Sequence, residues 1–235
     1  MLDFVFPRSC FGCQKELPSN EESFICGKCF EKITLNRGIQ CHICGRRNDD
    51  GACLLNCRSK TFLRAIFSAG YYDDPILKEA IRAFKYDSIE SLKKPLSKLL
   101  AKYIENENLA GRLSGAVLVP IPLAFRRKTI RGYNQSELLA EEISPILNCQ
   151  VLNLIKRRKF NRPQAEIADW ESRKENISGV FSARGACLPA RQGSAPNKVI
   201  LVDDVSTSGA TLEEVASVLK KAGVKEIYGL VVAKG

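Results

Sequence analysis

Residues 199–211 read Val-Ile-Leu-Val-Asp-Asp-Val-Ser-Thr-Ser-Gly-Ala-Thr, an order of residue types suited to holding an anion. Residues 199–202 are apolar in succession, which predicts a strand buried on both faces because no side is left for water. Beyond the loop, Ala210, Leu212, Val215, Ala216, Val218 and Leu219 recur at helical spacing and predict a helix over 210–222. The backbone N–H groups at that helix start have no partner within the helix, and the dipole presents partial positive charge there, so phosphate is the natural guest. Ser206, Thr207, Ser208 and Thr211 add hydroxyl donors, while Gly209, followed by Ala210, lets the backbone close around the oxygens. Asp203 and Asp204 cannot bind the same phosphate, since like charges repel. Ribose hydroxyls or a hydroxyl-bound Mg2+ would suit them. An ordinary capped turn needs neither two acids nor three consecutive hydroxyl residues. A Walker-type loop is excluded because no Gly-Lys-Ser or Gly-Lys-Thr is present, and the Rossmann glycine fingerprint is absent.

A second chemistry lies near the start of the chain, where Cys10-x-x-Cys13, Cys26-x-x-Cys29, Cys41-x-x-Cys44 and Cys53-x-x-x-Cys57 use eight of the ten cysteines. Such spacing lets paired sulfurs turn onto one tetrahedral ion, and eight thiolates complete two four-sulfur sites, so two structural zinc ions are expected. A disulfide framework would belong to an oxidising compartment, to which nothing in the opening residues directs the chain. Sequential pairing closes the shorter loops and is preferred, with Cys10, Cys13, Cys26 and Cys29 on one ion and Cys41, Cys44, Cys53 and Cys57 on the other; an interleaved pairing stays open. Closed sites of this kind supply folding free energy and leave no coordination position for catalysis. His42, between two better ligands, reads as a solvent-facing residue, and Cys149 and Cys187 read as structural or surface thiols. Phe11, Lys15, Phe24, Lys28, Phe30 and Lys32 either meet single-stranded nucleic acid or form the core of this small module.

The elements that must position these groups follow from periodicity. A cysteine-rich module over 1–62 is expected to precede a larger domain over 63–235 that opens with a β-rich segment at 66–72. Helices near 75–86 and 88–107 come next, the second with Leu92, Leu96, Leu99, Leu100 and Tyr103 on one apolar face. Strands at 116–119, 151–155, 199–202 and 227–232 then alternate with helices at 134–146 and 212–222, which implies an α/β fold with a parallel sheet and ligands beyond the strand carboxyl ends. Two basic stretches fall at those ends. Arg126, Arg127, Lys128 and Arg131 precede the helix expected to be capped near Asn134, and Lys156, Arg157, Arg158 and Lys159 open a long polar loop reaching Asn176. Guanidinium groups match phosphate oxygens in bidentate fashion, so Arg126, Arg127, Arg131, Arg157 and Arg158 are candidates for pyrophosphate or for DNA phosphates.

Composition bounds the rest. The 235 residues are 45% hydrophobic and 26% charged, which argues against disorder, and 36 Lys and Arg against 26 Asp and Glu give a net charge of +10 that favours polyanions. With His42 as the single histidine, a His-dependent triad elsewhere is excluded. No apolar run approaches the roughly 20 residues that span a bilayer, and a cytoplasmic location is expected.

Residues 199–211 resemble the phosphoribosyl pyrophosphate (PRPP) loop of type I phosphoribosyltransferases, with Thr207, Gly209 and Thr211 meeting the Thr-x-Gly-x-Thr pattern after the two acids. Pro120-x-Pro122, Arg127, Arg131, Gly132, Asn134 and Gln135, followed by Gln164, Arg173, Asn176 and Phe181, resemble the ComF family of competence proteins over nearly the whole chain. Asn161, where members often carry Thr, and an extension over 184–198 depart from that pattern. The resemblance implies a zinc-ribbon module before a phosphoribosyltransferase-like domain. It implies that Asp203 and Asp204 hold the ribose hydroxyls while residues 206–211 hold the 5-phosphate, with Mg2+ accompanying PRPP. It further implies a role in natural transformation, handling incoming single-stranded DNA at the inner membrane beside DNA-uptake proteins. A catalytically active phosphoribosyltransferase of nucleotide salvage or synthesis is the other reading.

Overall fold

A computed structural model describes residues 8–18, 23–48, 55–158, 177–184 and 195–235. The strands are β1 (Ile39–Gln40), β2 (Arg47–Asn48), β3 (Ile66–Tyr71), β4 (Val117–Pro120), β5 (Gln150–Val151), β6 (Ile155–Arg157), β7 (Phe181–Ala183), β8 (Lys198–Ser206) and β9 (Glu226–Lys234). The helices are α1 (Gly27–Phe30), α2 (Leu55–Arg58), α3 (Pro75–Tyr86), α4 (Lys93–Asn106), α5 (Ala110–Leu113), α6 (Phe125–Arg131), α7 (Gln135–Leu147) and α8 (Ala210–Lys221). One sheet runs β2-β1-β3-β9-β8-β4-β5, parallel from β3 to β5, and β6 with β7 forms a separate antiparallel pair. The expected α/β class and parallel sheet are therefore present.

The two central strands explain their own burial. Residues 199–202 of β8 are fully buried, as are Ile227 and residues 230–233 of β9, because apolar layers cover both faces of the sheet. On one face lie α3, α4 and α7, whose Leu77, Ile81, Phe84, Leu96, Leu100, Leu139 and Ile143 meet Ile200, Val202 and Leu230. On the other lies α8, whose Leu212, Val215 and Leu219 meet Val199, Leu201 and Val231, with Ile155 and Phe181 from the β6 and β7 pair. Asp74 starts α3 by accepting the N–H groups of Ile76 and Leu77, with Pro75 at the first helical position. Among the described residues no helix is long and apolar enough to cross a membrane.

The cysteine-rich module is built into the edge of this sheet. β1 pairs antiparallel with β3 through Gln40 and Ile66, Leu35 bridges to Gly70, and the Asn36 N–H donates to the Ala69 carbonyl. A Cβ at Gly70 would lie 2.7 Å from Leu77 Cδ2, so a larger residue at that crossing would force the buried Leu77 side chain to shift.

Three expectations change. The strand expected at 151–155 is divided between β5, which pairs with β4, and β6, which pairs with β7; the Leu154 N–H donates to the Leu152 carbonyl in the tight turn between them. An apolar run records burial but not which neighbour supplies its hydrogen bonds. The strand expected to end at Val202 continues to Ser206, because β9 pairs with it as far as Lys234, so both acids sit within the strand. Residues 125–131, read as loop, form α6, a short helix that buries none of its residues and so leaves no apolar stripe to detect.

Candidate phosphoribosyl site

The hydroxyl-rich loop leaves the carboxyl end of β8 and enters α8 through Gly209, which takes φ 76° in the left-handed region and is the helix N-cap. Gly209 has no side chain to cap the helix, and the Ser208 hydroxyl accepts the Ala210 N–H at 3.4 Å. Asp203 and residues 205–212 surround a small cavity of about 50 Å³ at this helix start. A helix N-terminus facing a hollow ringed by hydroxyl groups has the donors and the potential that an anion needs.

A second cavity, of about 170 Å³, shares Asp203, Val205 and Thr211 with the first and brings together Lys85, Arg127, Arg131, Arg157 and Asp204. Of the five arginines singled out by sequence, Arg127, Arg131 and Arg157 line it. Arg126 is exposed on α6, and Arg158 is exposed with its Nε donating to Ser182 Oγ at 2.7 Å. Arg131 lies 5.0 Å over the Tyr86 ring and donates to Gln135 Oε1, while Arg157 lies 5.3 Å over the Phe181 ring. Burial, and then the neighbouring Arg127, bring the Arg157 pKa down to about 10, so two guanidinium groups are held close together in advance of any ligand.

Both acids are already engaged. Asp203 Oδ1 accepts the Ser136 hydroxyl at 2.9 Å and the Asp204 N–H at 3.0 Å, and Lys85 Nζ lies 2.9 Å from Asp204 Oδ1. Burial, and then the charge of Asp204, push Asp203 up to about 7 against the opposing pull of Lys85 and Ser136. Burial also works against the Lys85 ammonium, but Asp204 and Asp203 outweigh it and its pKa rises. The residues of the 132–135 motif hold this arrangement in place. Gly132 ends α6 at φ 82°, Asn134 caps α7 and donates to the Ile121 carbonyl, and Gln135 and Tyr133 both donate to the Phe84 carbonyl beside Lys85.

Lys85 and Ser136 were missed from sequence. For Lys85 a signal existed, since it follows Leu77 and Ile81 at four-residue steps on the buried stripe of α3, where an apolar residue would be expected. His42 is a correction. Its side chain is 10% exposed, Nε2 lies 3.0 Å from Thr61 Oγ1, and the ring packs against the α-carbon region of Gly209, so it faces the loop rather than solvent. Lys159, Asn161, Gln164, Arg173, Asn176 and Cys187 lie outside the described residues. Cys149 is buried, with its thiol donating to the Leu147 carbonyl, as a structural thiol would.

The sulfurs of Cys10, Cys13, Cys26 and Cys29 lie within 4.8 Å of one another, as do those of Cys41, Cys44 and Cys57, which is the sequential pairing; Cys53 is outside the described residues. A tetrahedron with Zn–S of about 2.3 Å needs sulfurs roughly 3.8 Å apart. Cys13 and Cys26 sulfurs are 3.9 Å apart, a spacing that suits the ion. Burial opposes the Cys10 thiolate, but the N–H groups of Cys26, Cys13 and Gly12 outweigh it and lower its pKa, while burial and the neighbouring sulfurs of the same cage raise that of Cys29. Phe11 stacks on Phe24 with centroids 5.5 Å apart and Phe30 is buried, so these rings serve as core of the module.

Residues 107–235 match the family model of the phosphoribosyl transferase domain, and residues 1–59 match the double zinc ribbon domain. The chain is 30% identical over 222 residues to Competence protein F of Haemophilus influenzae, covering 93% of this chain and 86% of that protein. It is 27% identical to Competence protein ComFC of Bacillus subtilis, covering 85% and 79%. Against the DNA utilization protein YhgH of Escherichia coli the identity is 31%, over 65% of each chain.

Proposed function

The chain belongs to the phosphoribosyl transferase-domain family that includes the ComF competence proteins, and from that premise we propose that it binds PRPP with Mg2+ and handles incoming single-stranded DNA during uptake. The observation that carries this reading is that Asp203, Val205 and Thr211 line two neighbouring cavities, one a helix start ringed by hydroxyl groups and the other bordered by two acids and three arginines. In the proposal Ser206, Thr207, Ser208, Gly209, Ala210 and Thr211 hold the 5-phosphate. Asp203 and Asp204 hold the ribose hydroxyls, and Arg127, Arg131 and Arg157 meet the pyrophosphate, whose charge Mg2+ would help neutralise when bound. Zinc on the cysteine cages supplies folding free energy and no chemistry at the ligand. Calorimetry should find PRPP binding with Mg2+ that falls at least about tenfold in Thr211→Ala and in Arg157→Met, the loss expected for one charge-assisted hydrogen bond. Unchanged affinity in both would move the site elsewhere.

The neighbours Arg157 and Arg158 are proposed to serve different ligands. Arg157 borders the ligand cavity, whereas the exposed Arg158 and Arg126 are the candidates for DNA phosphates. Single-stranded DNA affinity should fall with salt at a slope of about −0.7 per neutralised phosphate, and Arg126→Glu with Arg158→Glu should flatten that slope while leaving PRPP affinity intact. A parent protein that does not bind DNA overturns this part.

A catalytic phosphoribosyltransferase is the second reading, and one observation favours it. A cavity of about 690 Å³ shares Ser208, Gly209 and Ala210 with the loop and is otherwise bordered by His42, Phe62, Ile177 and Glu213, among others, which gives room for an acceptor. Pyrophosphate release on adding a nucleobase would put this reading first.

A further inference from the structure

The second cysteine cage sends two arms to one carboxylate. His42 lies between Cys41 and Cys44, and four residues beyond Cys57 the chain reaches Thr61 and Phe62. Thr61 Oγ1 donates to Glu213 Oε2 at 2.7 Å and stands 3.0 Å from His42 Nε2, which can donate to it. The Phe62 N–H donates to the other oxygen, Glu213 Oε1, at 2.6 Å. Glu213 belongs to the first turn of α8 and its own N–H bonds the Gly209 carbonyl at 2.9 Å. A Cβ added to Gly209 would lie 3.5 Å from His42 Cδ2, so the cage also abuts the loop directly.

The placement of Glu213 raises an electrostatic problem. A carboxylate in the first turn of a helix competes with a bound anion for the same positive end of the dipole. Here both of its oxygens are drawn to the module by a hydroxyl and a backbone N–H. We infer that metal bound at Cys41, Cys44 and Cys57 positions the phosphate loop by holding Glu213 through Thr61, Phe62 and His42, so that metal occupancy and anion affinity are linked. The inference rests on the reading of residues 206–211 as the phosphate site. Toward the phosphate, Glu213, Thr61 and His42 act as positioning residues, through the loop and the start of α8. Because linkage is reciprocal, PRPP should also raise the affinity for the second zinc, read by competition with a chelator at equilibrium, by the factor that zinc adds to PRPP affinity.

Hydrogen exchange of residues 205–214 in the full-length, zinc-loaded protein tests the latch without any ligand. Thr61→Val and Cys44→Ser should each accelerate exchange in this segment about tenfold, the double variant should exchange no faster than the faster single one, and Thr61→Ser should behave as the parent. Thr61→Val carries the test if Cys44→Ser fails to fold. Unchanged exchange in Thr61→Val, or in a folded Cys44→Ser that has lost one zinc, overturns the latch. Calorimetry with PRPP on the same proteins separates the two ideas. A parent that does not bind PRPP removes the phosphate reading and with it the linkage to anion affinity, while PRPP bound equally well by parent and Thr61→Val overturns the linkage alone.

Discussion

Asp203 and Asp204 adjoin in one strand, where Lys85 pairs directly with Asp204 and Asp203 accepts a hydroxyl and a backbone N–H. Burial and then Asp204 raise its folded pKa to about 7, well above the usual carboxylate range near 4, so the folded state binds a proton more tightly than the unfolded chain. Stability from this group is therefore fully present below about pH 4 and is lost as pH rises through about 7. Asp203→Asn keeps an oxygen for Ser136 and removes the titration. It should be more stable than the parent at pH 8 by on the order of 2–4 kcal/mol, with the gap narrowing toward pH 5.5. Urea unfolding at the two values checks this, and a gap that widens on acidification would contradict the assignment. Ligand binding should show the opposite trend in the parent. Ribose hydroxyls and Mg2+ favour the ionised acid, so PRPP affinity should rise between pH 6 and 8.

At the scale of the element, the loop depends on one residue's conformation. Gly209 holds φ 76°, and a Cβ there would also stand 3.3 Å from Ile66 Cδ1. Left-handed backbone costs a residue with a Cβ about 1–2 kcal/mol, so Gly209→Ala should lose roughly that much stability and several-fold in PRPP affinity, read by thermal unfolding and calorimetry. Affinity equal to the parent's would mean that the closed turn is not what holds the phosphate. The strand, loop and helix around Gly209 were legible because burial on both faces, helical spacing and loop chemistry all agree over consecutive residues. Agreement failed elsewhere for identifiable reasons. Leu152 and Leu154 are apolar whether the chain stays in the sheet or turns into β6, and α6 has no buried side to generate a stripe. Lys85 and His42 reach the site from elements distant in sequence, and only the sheet order, with β9 between β3 and β8, brings α3 and the module to the carboxyl end of β8.

At the scale of the molecule, the module matched as a double zinc ribbon and the domain matched as a phosphoribosyl transferase share a core. Leu17, Ile25, Phe30, Ile33 and Ile39 pack in one continuous cluster with Phe67, Leu77, Phe84 and Leu100, and β1 adds hydrogen bonds to the edge of β3. Lys102 pairs with Glu31 and lies 5.9 Å over Phe30, while the Glu107 carboxylate accepts the Gly38 N–H, so α4 contributes polar contacts to the same seam. Two units joined by a shared core and a shared sheet unfold together, because separating them exposes apolar area on both sides. Zinc bound only by the folded chain stabilises whatever unfolds with its site. Removing it should therefore lower the melting temperature of the entire protein in one calorimetric transition, instead of melting the first 62 residues and sparing the rest. A fragment over 63–235 would carry the bare face of β3 and the uncovered sides of Leu77 and Leu100, and should be poorly soluble even when loaded with PRPP. Two separate transitions, with the upper one indifferent to a chelator, would show instead that the domain carrying Asp203 and Thr211 folds by itself and that the zinc module is an attachment to it.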